Sequence, residues 1–233
     1  MLHKKTKYKY PEKITENFDH ANFHIKYCIN FFKKYLRGDI LEVGGGCGSF
    51  TRNYFNKKIS SLTITERDND NIVILKKKFK NNQKVKVSKK FINKLQGKYD
   101  VILYLHVLEH IKNDNFEVIE AIKRLKKNGR LIIMVPAHKE LYSNLDKVVG
   151  HYRRYEINYF KKKIGPVKLV NLKFLDFMGY ILYFLNKIVF KTEKYPNRFK
   201  IFIWDKFFTP ITIILDFIFG YKFGKAILAI YKK

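Results

Sequence analysis

Residues 38–51 read G-D-I-L-E-V-G-G-G-C-G-S-F-T, and this stretch decides the fold. Ile40, Leu41 and Val43 form the short apolar run of a buried parallel strand. Glu42 stands two residues before a loop with glycines at alternating positions, Gly44, Gly46 and Gly48. A chain that leaves a strand through glycines can bring its backbone N–H groups close to a ligand, because no Cβ intervenes. The loop feeds a predicted helix, whose N-terminus adds a positive dipole end. The dinucleotide fingerprint G-x-G-x-x-G requires a third glycine at Ser49 or Thr51, and neither is glycine. The pattern present is E-x-G-x-G-x-G.

Outward from this loop, strands alternate with helices. Strands are predicted near 39–43, 60–66, 84–88, 99–106 and 130–136, and helices near 49–56, 69–80 and 114–127. A helix over 14–37 precedes them, stopped by Gly38. Asp114 with Glu117 suits a capping box, and Gly129 suits the C′ position that follows. Such alternation predicts an α/β fold with a doubly wound, mostly parallel sheet. Its ligands sit at the carboxyl ends of the strands, where Glu42, Glu66 and His106 all fall.

The E-x-G-x-G-x-G loop resembles the first motif of class I S-adenosylmethionine-dependent methyltransferases. Residues 62–68, L-T-I-T-E-R-D, supply an acidic residue at the end of the second strand. Residues 99–111, Y-D-V-I-L-Y-L-H-V-L-E-H-I, resemble the family's fourth strand, and 127–136, K-N-G-R-L-I-I-M-V-P, its fifth. The resemblance spans roughly residues 36 to 136. It implies a seven-stranded Rossmann-like sheet and S-adenosylmethionine as cofactor. Glu42, Gly44, Gly46 and Gly48 would lie against the cofactor's methionine part, Glu66 at its ribose, Arg67 among the cofactor-binding residues, and His106 beside the cofactor. The carboxylate or Asn that many members place after the third strand is missing from residues 85–93, V-K-V-S-K-K-F-I-N, which leaves Ser88, a backbone group or Phe91 for the adenine.

Residues 135–155, V-P-A-H-K-E-L-Y-S-N-L-D-K-V-V-G-H-Y-R-R-Y, resemble a bacterial subgroup with V-P-A…D-x-x-x-G-H-x-R-R-Y after the fifth strand. In the family this region faces the substrate. His138, Arg153, Arg154 and Tyr155 are candidate acceptor-binding residues, since arginines can clamp a carboxylate or phosphate bidentately. His151 is the candidate base. The alternative is that the arginines pair with Asp146 and Glu140 and brace the loop.

The 233 residues suffice for one domain: a basic extension over 1–13, a cofactor-binding half over 14–136 and a substrate-side half over 137–233. Strands are predicted at 167–177 and 222–231. Between them, the apolar segments 177–190 and 199–219 are interrupted by Lys187, Asp205, Lys206, Pro210 and Asp216, too often for a spanning helix. They are expected either to pack as a helical lid near 178–220 or to rest on a bilayer. The net charge of +28 fits an anionic partner, but only 8 of 48 basic residues are Arg and Lys is scattered, as biased composition also gives. No aromatic–basic motif for stacking nucleic acid is present. The two cysteines, Cys28 and Cys47, form no metal or disulfide pattern. No signal peptide is visible, which suits a cytoplasmic protein in peripheral contact with a membrane. The expected activity is methyl transfer to a small-molecule, lipid-linked or glycan-type acceptor. The alternative is a non-catalytic membrane-surface or RNA-binding protein on the same fold.

Overall fold

A computed structural model describes residues 19–162, 164–186 and 197–233. The basic extension expected over 1–13 and residues 14–18 of the helix expected over 14–37 lie outside them. Seven strands form one sheet in the order β3-β2-β1-β4-β5-β7-β6. They are β1 (Gly38–Val43), β2 (Ile59–Thr65), β3 (Val85–Ser88), β4 (Tyr99–Leu105), β5 (Leu125–Pro136), β6 (Lys168–Leu175) and β7 (Ala226–Lys232). Strands β1 to β5 pair in parallel. Strand β7 runs antiparallel between β5 and β6. The doubly wound, mostly parallel sheet expected from the sequence is therefore present.

The strand pleat builds two cores. Ile40, Leu62, Leu103, Ile132 and Leu228 point to one face. Leu41, Ile102, Ile133 and Ala229 point to the other. Helices α1 (Asn22–Asn30), α2 (Ser49–Tyr54), α3 (Asn69–Lys78) and α4 (Asp114–Lys123) flank the parallel part. After β5 come α5 (Asn144–Val148) and α6 (Ile157–Lys161), then α7 (Phe177–Leu185), α8 (Arg198–Ile203) and α9 (Thr209–Ile218) between β6 and β7.

Two local expectations fail around α4. Its cap is Asn113, whose side chain accepts from the Phe116 N–H. Asp114 and Glu117 turn inward instead, toward the Tyr155 and Tyr104 hydroxyls at 2.8 and 3.0 Å. The helix stops at Lys123, and β5 begins at once because Leu125 pairs with Tyr99. Gly129 therefore lies inside a strand, where an added Cβ would meet the Lys126 carbonyl oxygen at 2.9 Å. It is a close-approach glycine, not a helix stop.

The apolar segments after β6 form a packed layer. Asp205 accepts from the Phe23 and His24 amides at the start of α1, at 3.2 and 2.8 Å. Asp216 accepts from the Tyr27 hydroxyl at 2.5 Å and from the Asp176 and Phe177 amides. The lid rests on α1 and on the end of β6.

Candidate functional site

At the end of β1 the chain turns through Gly44 and Gly46, both at positive φ. A Cβ on Gly44 would strike Val107 at 2.7 Å, so the glycine loop abuts the segment that follows β4. A Cβ on Gly46 would meet nothing within 4 Å. That opening, framed by backbone, is a cradle that a side chain would fill and a ligand can enter. Gly48 ends the loop at φ 84° as the N-cap of α2.

Glu66, partly exposed at the end of β2, closes one side of the cradle. Its Oε2 accepts from the Gly46 N–H at 2.7 Å, and its Oε1 from the Arg67 and Asp68 N–H groups at 2.6 and 2.9 Å. These bonds use three of its roughly four lone-pair sites and leave one, on Oε2, for a ligand hydroxyl. Arg67 lays its guanidinium 4.0 Å over the ring of Phe91, which is half exposed. This pair forms a flat, exposed platform after β3.

Glu42 lies behind the loop rather than in its opening. It is 3% exposed, and its Oε2 accepts from the Thr51 hydroxyl and from the Tyr54 hydroxyl at 2.7 Å. Burial raises its carboxyl from 4.5 to about 7, although the two hydroxyls oppose the shift. It ties β1 to α2 beneath the glycines. Asp19, which the sequence does not single out, fastens the other side by accepting from Ser49 and Arg52.

His106 follows the last residue of β4 at φ 59°, with its ring beside Phe50. Its Nδ1 lies 3.6 Å from Glu109. Across Glu109 stands His151, whose Nε2 is 3.9 Å from the same carboxylate. The other ring nitrogen, Nδ1, meets Asp146 at 2.7 Å. His110 packs edge-on to His151 with centroids 4.6 Å apart. Burial pushes the Glu109 carboxyl upward, but the bond from His106 and the nearby His151 and His110 outweigh it and hold it below its usual range. Asp146 is likewise lowered: burial opposes, while His151 and Arg154 prevail. Burial lowers His110 and favours its neutral ring. The Glu109 Oε2 is buried without a hydrogen-bond partner among the described residues.

The ligand atoms of Glu109, His110 and His151 lie within 4.8 Å of one another, a spacing a cation could bridge. Sequence spacing does not reveal this set, because His151 joins it only through the loop after β5. Glu109 and His110 are legible in the V-L-E-H stretch, but nothing there announces that they face His151.

The other residues expected on the acceptor side are engaged inward. His138 contacts the Gly224 carbonyl at 3.0 Å through Nε2 and stacks on Phe174. Arg153 pairs with Asp114 at 2.6 Å and donates to the Lys112 carbonyl. Arg154, 8% exposed, donates to both oxygens of Asp146 and lies 4.3 Å over the Tyr183 ring. Tyr155 is 3% exposed and donates to Asp114 and to the Leu108 carbonyl. The geometry favours the bracing alternative for the arginines, with Asp114 rather than Glu140 partnering Arg153. Guanidiniums already paired with internal carboxylates have little left to clamp an external anion. Of the acceptor-side candidates, only His151 joins the polar cluster near the glycine loop.

A family model described as a methyltransferase domain matches residues 11–177. A ubiquinone biosynthesis O-methyltransferase of Rickettsia bellii is 31% identical over 97 residues, which are 41% of this chain and 40% of that protein. The chain spans less than half the length of the curated relatives it matches. Coclaurine N-methyltransferase, solved with N-methylheliamine and SAH, superposes with a TM-score of 0.63 at 17% identity over 92% of this chain and 73% of that one. NodS, an N-methyltransferase of Bradyrhizobium japonicum solved with S-adenosyl-L-homocysteine, gives 0.60 at 12% identity over 97% and 93%.

Proposed function

Because this chain belongs to the methyltransferase-domain family of class I S-adenosylmethionine-dependent enzymes, we propose that it methylates a hydroxyl or amine of a small-molecule or lipid-linked acceptor, with His151 as the base. The observation that carries this reading is the Asp146–His151–Glu109 alignment beside His106 at the carboxyl end of the parallel strands. S-adenosylmethionine, when bound, supplies an electrophilic methyl group on a sulfonium. The open cradle at Gly46 would take its amino-acid part, and the lone pair left on Glu66 Oε2 would accept from a ribose hydroxyl. The Arg67–Phe91 platform would stack the adenine in place of the missing carboxylate.

Orientation of two bound reactants lowers a barrier by roughly 7–11 kcal/mol, so alignment is the protein's main task. His151 adds proton removal. Asp146 holds its Nδ1 and leaves Nε2 to take the acceptor's proton. The imidazolium that forms lies between Asp146 and Glu109, both of which stay ionised. The two carboxylates stabilise it as the proton arrives.

His151→Ala tests this assignment once a screen of the purified protein has supplied an acceptor. Turnover should fall about 100-fold or more, recover in part at high pH where the acceptor ionises unaided, and leave cofactor affinity unchanged. Normal turnover with lowered thermal stability would make His151 a brace. Failure of the protein to bind S-adenosylmethionine in a titration would favour the non-catalytic alternative.

A further inference from the structure

We propose that the outer face of α7–α9 is a docking surface for an anionic lipid bilayer. From Arg198 to Ile218 the chain runs through α8, a π-helical turn over Trp204–Phe208, and α9. Its buried positions are Ile201, Asp205, Thr209, Thr212 and Asp216, one stripe at three- and four-residue spacing. Four of those five are polar. The opposite side carries Phe202, Phe207, Ile211, Ile214, Phe217 and Ile218, all exposed, with Phe217 at 74%. An ordinary surface helix has the reverse arrangement.

The arrangement is pinned. Asp205 is held by the first amides of α1, and Asp216 by the Tyr27 hydroxyl and the Asp176 and Phe177 amides. Rotating the helix to bury its apolar side would carry both carboxyls into solvent and leave the Phe23, His24, Asp176 and Phe177 amides and the Tyr27 hydroxyl without their acceptors. So the apolar side stays outward, and a patch of this extent marks an interaction site.

Charge selects the occupant. Among the described residues of these helices and their flanks, the acidic side chains Asp176, Asp205 and Asp216 are all buried. Arg198, Lys200, Lys206 and Lys222 are exposed. An apolar face whose described rim is positive suits acyl chains bordered by anionic headgroups. A second copy docking about a two-fold axis would set one lysine rim near the other. The contact is peripheral, because no helix of the described residues is long and apolar enough to cross a membrane. Helix α7 joins this face to the polar cluster: its Tyr183 hydroxyl donates to Asp146 at 3.0 Å. If the methyl-transfer reading holds, a lipid-linked acceptor can approach His151 from the docked bilayer.

Co-sedimentation with vesicles decides the matter without any methyl transfer, so failure to find an acceptor leaves it untouched. The full chain should pellet with equal parts phosphatidylglycerol and phosphatidylcholine, and stay in the supernatant with phosphatidylcholine alone. Phe207→Ser with Phe217→Ser should weaken partitioning about 100-fold with an unchanged melting temperature, since both rings face solvent. Lys200→Gln with Lys206→Gln should weaken it about 30-fold. Lys76→Gln with Lys77→Gln, on α3 beside the opposite edge strand β3, should stay within about twofold. No binding at low salt, binding indifferent to the phenylalanines, or equal loss from the α3 lysines would overturn the proposal. A dimer in solution that the phenylalanine variant converts to monomer would instead assign the face to a second copy.

Discussion

Asp146→Asn is the substitution through which the loop after β5 can be judged. Asp146 is 2% exposed. Its Oδ1 meets His151 Nδ1 at 2.7 Å and Arg154 Nε at 3.0 Å, while Oδ2 accepts from the Ser143 amide and hydroxyl, the Tyr183 hydroxyl and Arg154. An asparagine keeps the shape but must point an NH2 at one of these two donor sets. It also leaves the Arg154 guanidinium buried without its counter-charge. Breaking a buried pair from one side costs about 3–5 kcal/mol. For a chain of this size that is a fall of roughly 6–20 °C in Tm, at about 2–4 °C per kcal/mol. Thermal unfolding followed by circular dichroism measures it. The charge dependence has a definite sign. The folded carboxyl lies below its ordinary 3.8, so its stabilisation is present above that value and lost as pH falls beneath it. The gap between wild type and variant should hold from pH 8 to about pH 5 and shrink below about pH 4. Asp146→Leu with Arg154→Met, which removes both charges, should cost less than the two single changes together. A single variant within about 1 kcal/mol of wild type, or a gap already closed at pH 6, would refute the picture of a charge-balanced brace.

Two further outcomes concern the cofactor half. Gly46→Val should leave the fold intact, since a Cβ there meets nothing, apart from about 1–2 kcal/mol for a branched residue at φ 54°; titration calorimetry should show cofactor binding abolished, and retained affinity would remove the cradle from the site. Glu42→Gln keeps an acceptor for Thr51 and Tyr54 without a buried charge. The folded carboxyl of Glu42 is raised to about 7, so the stability linked to its protonation is present below 4.5 and lost as pH rises through 7. The variant should therefore melt higher than wild type at pH 8, by up to about 3 kcal/mol of stability, and match it near pH 4; a lower Tm at pH 8 would sink this account.

The parallel half of the fold was legible because its signals are local. A buried strand reads as a continuous apolar run, a glycine loop follows it, and an acidic residue closes the next strand; none of these needs a distant partner. The end of α4 was not legible for the opposite reason. Asp114 and Glu117 have cap spacing, yet the buried tyrosine hydroxyls of Tyr155 and Tyr104 claim them, and those partners come from other strands and loops. The G-H-Y-R-R-Y segment repeats the lesson. Its arginines carry the right chemistry for clamping an anion; pairing with Asp146 is one of the readings open from the sequence, whereas Asp114 as the partner of Arg153 comes only from tertiary structure. His151 differs because its Nε2 is turned toward Glu109 with no direct hydrogen bond, while Nδ1 is anchored.

The apolar segments before β7 carry a signal that composition hides. Asp205, Thr209, Thr212 and Asp216 recur at helical spacing inside an otherwise apolar stretch. That periodicity defines a polar stripe, but periodicity alone says only that two faces of the helix differ, not which one turns inward. The partners decide the direction. Free amides at the start of α1 and at the turn into α7 require acceptors, because the first N–H groups of a helix have no partner within it. Asp205 and Asp216 supply them. Once those carboxylates are drawn in, Phe207, Ile211, Ile214 and Ile218 have nowhere to go but out. The exposed apolar face is thus a consequence of capping two helices from a third, and the basic rim around it is the feature on which the proposed bilayer contact rests.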